Sequence, residues 1–113
     1  MNSDHSNHAV KQLDAGSFAE AIREGIVAVD FGEPWSGPCR VQMAILENLA
    51  SHVGPNVMIA EMNIDDARDL AVSLHIENIP TLLLFKDGQL RGRFFGVQPE
   101  ARLARAIEAA RVG

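Results

Sequence analysis

The sequence predicts an α/β domain in which a mixed β-sheet is covered by helices on both faces. Three observations predict it. The run "IVAVDF", Ile26 to Phe31, is apolar and β-branched, as in a strand buried on both faces of a parallel sheet. After Pro38, the residues Val41, Ile45, Leu46, Leu49 and Val53 recur at helical spacing until the Gly54-Pro55 pair ends the pattern. Near the C-terminus, Lys86-Asp87-Gly88-Gln89 carries the Asp-Gly signal of a tight antiparallel hairpin, which makes the sheet mixed.

Taken in order, residues 1–8 read as a flexible polar arm, and a single domain spans 9–113. His5 and His8 lie in that arm without apolar neighbours to fix ligand geometry, so they read as solvated side chains rather than metal ligands. "AVKQL" is a short strand. In "DAGSFAEAIREG" Ser17 and Glu20 form a capping box, each satisfying a free N–H of the first helical turn, and Gly25 is the stop. "VMIAEMN" is a third strand, "DARDLAVSL" a short helix and "IPTLLLF" a fourth strand. The hairpin leads into "QLRGRFF". The closing helix, "QPEARLARAIEAAR", has Pro99 near its start and Leu103, Ala106, Ile107 and Ala110 on one face. The order βαβαβ followed by αββα, with right-handed crossovers in the first half, gives the mixed sheet its two helical layers.

A net charge of −5 and a pI near 5.2 exclude the clustered positive charge that a nucleic-acid interface needs. The start of the chain has no basic segment leading into an apolar run, and no later run is long enough for a membrane span, so a cytoplasmic monomer is expected. With Cys39 as the only cysteine, no internal disulfide staples the fold. His52 and His75 fall at helix ends without partners and read as structural. No cofactor or metal is expected.

The chemistry concentrates in "PWSGPCR", Pro34 to Arg40, which holds the chain's only tryptophan, Trp35, and its only cysteine. By itself "WSGPC" describes a capped helix start with a small buried cysteine, an arrangement found in many proteins. Its surroundings make it specific. "VDFGEPWSGPCR" resembles the active-site segment of the thioredoxin family, in which a strand ends Val-Asp-Phe and Trp-Cys-Gly-Pro-Cys opens a helix. "NIDDARDLAVSLHIENIPTLLLFKDGQ" is similar to the rest of that family's signature, including an Ile-Pro-Thr whose proline is cis. The resemblance runs from about Val10 to the C-terminus. It implies a thioredoxin fold, protein-disulfide reduction as the parent activity, disulfide-containing protein substrates, and thioredoxin reductase as the electron source. It also implies a substrate groove lined by Trp35, Gly37, Pro38, Ile79, Pro80 and Gly96, a resolving thiol at Cys39, and a proton acceptor and donor at Asp30.

The sequence departs from the family pattern in four places. Ser36 stands where the attacking cysteine belongs. Glu61 replaces a lysine that often neighbours the buried aspartate. Ala44 replaces a helix-kinking proline, and Gly32 a common tryptophan. The first departure is decisive for chemistry. Disulfide exchange needs one thiolate to attack and a second thiol to resolve the mixed disulfide. A serine hydroxyl does not ionise near neutral pH, so Ser36 serves at most as a hydrogen-bond partner or helix cap. The chain is therefore expected to be a redox-inactive or trapping variant of a protein-disulfide reductase. The alternative is a naturally non-redox binding module of the same fold. A third reading is a monothiol site in which Cys39 carries glutathione or a peroxide-derived sulfenic acid.

Asp30, flanked by Val29 and Phe31, is expected to be buried, with its pKa raised by desolvation. Alternation along "MIAEMN" does not decide whether Glu61 faces Asp30 or points outward at the sheet rim.

Overall fold

A computed structural model describes residues 9–113; the expectations for the arm over 1–8, with His5 and His8, lie outside the described residues. Among the described residues five strands form one sheet: β1 (Lys11–Leu13), β2 (Ile26–Gly32), β3 (Val57–Asn63), β4 (Thr81–Lys86) and β5 (Gln89–Phe95). Their spatial order is β1-β3-β2-β4-β5. The first three are mutually parallel, whereas β4 runs antiparallel to both β2 and β5, so the mixed sheet agrees with the sequence reading.

Alternation along the central strand β2 divides the core. Ile26 and Ala28 face the helices α2 (Gly37–Ala50) and α4 (Glu100–Val112), packing with Leu46, Leu49, Ile59, Leu82, Leu84, Leu103 and Ile107. Val27, Val29 and Phe31 face the other way, toward Phe18 of α1 (Ala15–Ile22). There Phe18 meets Phe31 and Phe85 edge-on, with ring centroids 6.1 and 5.6 Å apart. Every residue of β2 is buried, which is why its sequence is apolar but for Asp30 and shows no alternation of polarity.

Local details depart from the sequence reading in ways that have physical causes. The first helix begins earlier than expected: Asp14 caps it, accepting from the Ser17 N–H at 2.9 Å, while Ser17 Oγ accepts from the Asp14 N–H at 3.0 Å. The capping box is thus Asp14 with Ser17, not Ser17 with Glu20, because aspartate is as good a cap as serine and the helix extends one turn further back. The helix expected over "DARDLAVSL" is shorter, α3 (Arg68–Ser73), and a 3-10 turn at Ile64–Asp66 precedes it. His52 is not without a partner: its Nδ1 lies 3.2 Å from Glu100 Oε2 at the start of α4. His75 ends the α3 segment at a φ of 61°, a left-handed turn position.

On α2 the apolar stripe is rotated from its expected place. Val41 is 54% exposed, while the neighbouring Gln42 is only 1% exposed. Residues 41, 45 and 49 are spaced by fours, so their direction drifts by about 40° per step on a helix of 3.6 residues per turn. Cys39, Gln42, Leu46 and Leu49 hold the buried side instead.

The hairpin turn has positive φ at Asp87 (51°) and Gly88 (83°), the backbone that Asp-Gly favours. Asp87 also hooks the turn to the start of β2: Asp87 Oδ1 accepts from the Gly25 N–H at 2.8 Å, and the Asp87 N–H donates to the Gly25 carbonyl at 2.9 Å. Further along, β4 and β5 slip by one residue between Leu84 and Phe85. Leu84 pairs with Gly92 and Phe85 with Leu90, leaving Arg91 as the extra residue of a β-bulge.

Candidate active site

Strand register gathers the motif segments, distant in sequence, at one end of the sheet. Phe31 lies beside Thr81, and Thr81 beside Phe95, so the C-terminal ends of β2 and β5 adjoin the N-terminal end of β4. The loops leaving these strands carry Trp35 and Ser36, Ile79 and Pro80, and Gly96. The Ile79–Pro80 peptide is cis, as the resemblance implied. The Gly96 N–H donates to the Pro80 carbonyl at 2.8 Å, tying two of the expected groove segments directly together. Trp35 is 66% exposed, Gly37, Pro38 and Gly96 are open to solvent, Ile79 is half-buried and Pro80 is buried.

Ser36 is the N-cap of α2, with extended backbone at φ −80° and ψ 129°. Its Oγ accepts a long hydrogen bond, 3.4 Å, from the Cys39 N–H, and Pro38 occupies the first turn, where no helical N–H partner exists. The hydroxyl therefore uses one of the free amide groups of the helix start. Cys39 points inward. It is buried, and its Sγ receives the Glu33 N–H at 3.5 Å.

Gly32 explains how the sulfur fits. A Cβ at position 32 would come within 2.7 Å of Cys39 Sγ and within 3.3 Å of Cys39 Cβ. Real Cβ atoms do not approach so closely, so a side chain there would force the sulfur to move. The same position lies 3.9 Å from Asp30 Oδ2, so the thiol and the carboxyl border one small space. That space belongs to a cavity of about 200 Å³ whose lining includes Gln12, Asp30, Gly32, Cys39, Met43 and Glu61.

Asp30 is only 3% exposed, and its buried Oδ1 has no hydrogen-bond partner among the described residues. Burial raises its pKa from the ordinary 3.8 to about 7, and the charge of Glu61 adds to the effect. The question left open by the sequence is answered by register: Glu61 lies beside Asp30 on adjacent parallel strands, and Gln12 lies on its other side in β1. Glu61 is itself held above the usual carboxylate range by burial and by the charge of Glu47, against the opposing effect of a hydrogen bond from Gln12. The two carboxyls are unequal. Glu61 is half-buried and reaches solvent, so it ionises more readily, and its charge then opposes ionisation of Asp30.

Sequence reasoning missed Gln42. Its side chain is buried on α2 and bonded both ways to Gln98: Nε2 donates to the Gln98 carbonyl at 3.1 Å, and Oε1 accepts the Gln98 N–H at 2.6 Å. The available signal was a polar residue inside an apolar stripe, masked because Val41 was assigned to that stripe. Among the described residues, no group of three or more His, Cys, Asp or Glu side chains could hold a metal ion.

A helix start carrying Ser36 and a buried Cys39, at the same end of the sheet as a cis-proline segment and on this order of strands, is the layout of the thiol–disulfide oxidoreductase fold. Comparison with known proteins narrows the class. The Thioredoxin family model matches residues 9–109. A thioredoxin of Chlamydia pneumoniae is 41% identical over 98 residues, covering 87% of this chain and 95% of its own. One of Rhodospirillum rubrum is 37% identical over 102 residues, covering 88% and 98%. The solved structure of a mutant thioredoxin from Halobacterium salinarum NRC-1 matches with a TM-score of 0.83 at 26% identity, covering 91% of each chain. The chain belongs to the thioredoxin family, and its fold is the thioredoxin fold.

Proposed function

We propose that this chain recognises disulfide-bearing polypeptides as a thioredoxin does, and that Ser36 leaves it unable to turn them over. The observation that carries this reading is the helix start itself: Ser36 Oγ takes a hydrogen bond from the Cys39 N–H at the N-cap of α2, where exchange chemistry requires a thiolate. Free amide groups and the helix dipole at that position favour an anion, which a thiol at position 36 would supply and a hydroxyl does not. The remaining parts of the exchange site are present. In a chain with cysteine at position 36, its thiolate attacks one sulfur of the substrate disulfide and the other substrate sulfur leaves as a thiolate. Cys39 then passes its proton to Asp30 and attacks the sulfur at position 36, freeing the second substrate thiolate and closing a 36–39 disulfide. Asp30 suits this task because its raised pKa places proton uptake near neutrality. Returning the pair to the dithiol form would fall to thioredoxin reductase, in the cytoplasm.

The test is to restore the thiol. Ser36→Cys is expected to reduce the disulfides of insulin with dithiothreitol as the electron source, well above the rate of the parent chain. A folded Ser36→Cys protein no faster than the parent would overturn the reading and leave a non-redox binding module of the same fold.

A further inference from the structure

We propose that Gln42 is a positioning residue that sets the substrate-binding loop against the helix carrying Cys39. The inference rests on the proposed recognition of disulfide-bearing polypeptides. Gln42 is buried in the face of α2 that holds Cys39, Leu46 and Leu49, where an apolar side chain would fill the space. A buried amide is costly unless its polar atoms are bonded. Here the donor and the acceptor of Gln42 both go to the main chain of one residue, Gln98. The Gln98 side chain in turn donates from Nε2 to the Phe95 carbonyl at 2.6 Å, and the Gly96 N–H is spent on the Pro80 carbonyl.

The segment Phe95–Gln98 is thereby held from α2 on one side and from the cis-proline segment on the other. Between those anchors it presents Phe95 and Val97, two of the large apolar residues that stay exposed, at the same end of the sheet as exposed Trp35. Gly96, at φ 76°, needs a backbone that few other residues adopt, so the shape of this segment is determined by its ties and its glycine together. A polypeptide substrate reaches across this segment. A small disulfide needs only the two sulfurs, at positions 36 and 39. The clamp therefore acts on docking and leaves the sulfur exchange itself alone.

The experiment uses the Ser36→Cys chain, with and without Gln42→Met, a replacement of similar length that removes both hydrogen bonds. Insulin is the polypeptide substrate and hydroxyethyl disulfide the small one. Gln42→Met is expected to raise KM for insulin about fivefold, the order expected when a hydrogen-bonded loop loses its order, while kcat stays within about twofold. The rate with hydroxyethyl disulfide is expected to be unchanged within about twofold. An unchanged KM for insulin, or an equal loss with both substrates, overturns the proposal. Ser36→Cys without activity on either substrate removes the functional reading and this inference with it, whereas an active Ser36→Cys chain that is indifferent to Gln42→Met removes the inference alone. Gln42→Leu serves as a second replacement should the methionine variant fail to fold; if neither folds, Gln42 supports the fold and the proposal falls.

Discussion

Asp30 shows how one buried side chain links stability to pH. In the folded protein its proton is held up to about pH 7, whereas in the unfolded chain it leaves near the ordinary 3.8. Between those values the unfolded state gains by ionising and the folded state does not. Asp30 therefore lowers stability as pH rises from about 4 to about 7, and its cost is fully present above that range. Asp30→Asn should match the parent at pH 4 and exceed it at pH 8 by up to about 4 kcal/mol, the free energy that corresponds to this pKa difference. Denaturant unfolding at the two pH values checks it; a gap that does not widen with pH would show that the aspartate ionises normally. Glu61→Gln removes the neighbouring charge and should move the Asp30 carboxyl titration, followed by carbon NMR, to lower pH. The burial of Asp30 was legible in its apolar flanks. Its pairing with Glu61 was not, because a strand covered on both faces gives no polarity alternation from which to assign a side.

At the scale of elements, the end of the sheet opposite the site depends on the contact between the hairpin turn and the start of β2. Asp87 contributes both its carboxylate and its N–H to Gly25, and does so at a left-handed φ that alanine tolerates poorly. Asp87→Ala should cost about 1 to 2 kcal/mol in chemical denaturation, while Asp87→Asn, which keeps an acceptor oxygen and suits the turn, should cost less than about 0.5 kcal/mol. Equal losses would mean that the hook contributes nothing. The turn itself was readable, since Asp-Gly encodes its backbone locally; the hook was not, because Gly25 is 62 residues away in sequence. The same division applies to the helices. The existence of α2 and the closing helix followed from periodicity. The rotation of α2 that exposes Val41 and buries Gln42 depends on what the sheet and the Gln98 segment offer it, which no single helix encodes.

For the molecule as a whole, the mixed topology and the two helical layers were legible because each crossover and the hairpin left its own local mark. What assembles the site is register: Phe31, Thr81 and Phe95 fall in one row and bring three loops to one end. The bulge at Arg91 has a different consequence, one that concerns how copies of the protein behave in crowded solution. β5 is an outer strand, and a flat outer strand offers its unpaired backbone groups as a template on which another chain can build. The bulge breaks that line at Arg91 and places a cation in the break, so an approaching strand meets both a twisted backbone and a charge it must desolvate. Arg91→Val would leave the fold largely intact and remove the charge. Such a protein should scatter more light than the parent as concentration rises, and more so at high salt, where screening removes the repulsion from a net charge one unit more negative than the parent's −5. Colloidal solubility would then trace to one residue at the sheet margin, remote from Ser36, Cys39 and Asp30.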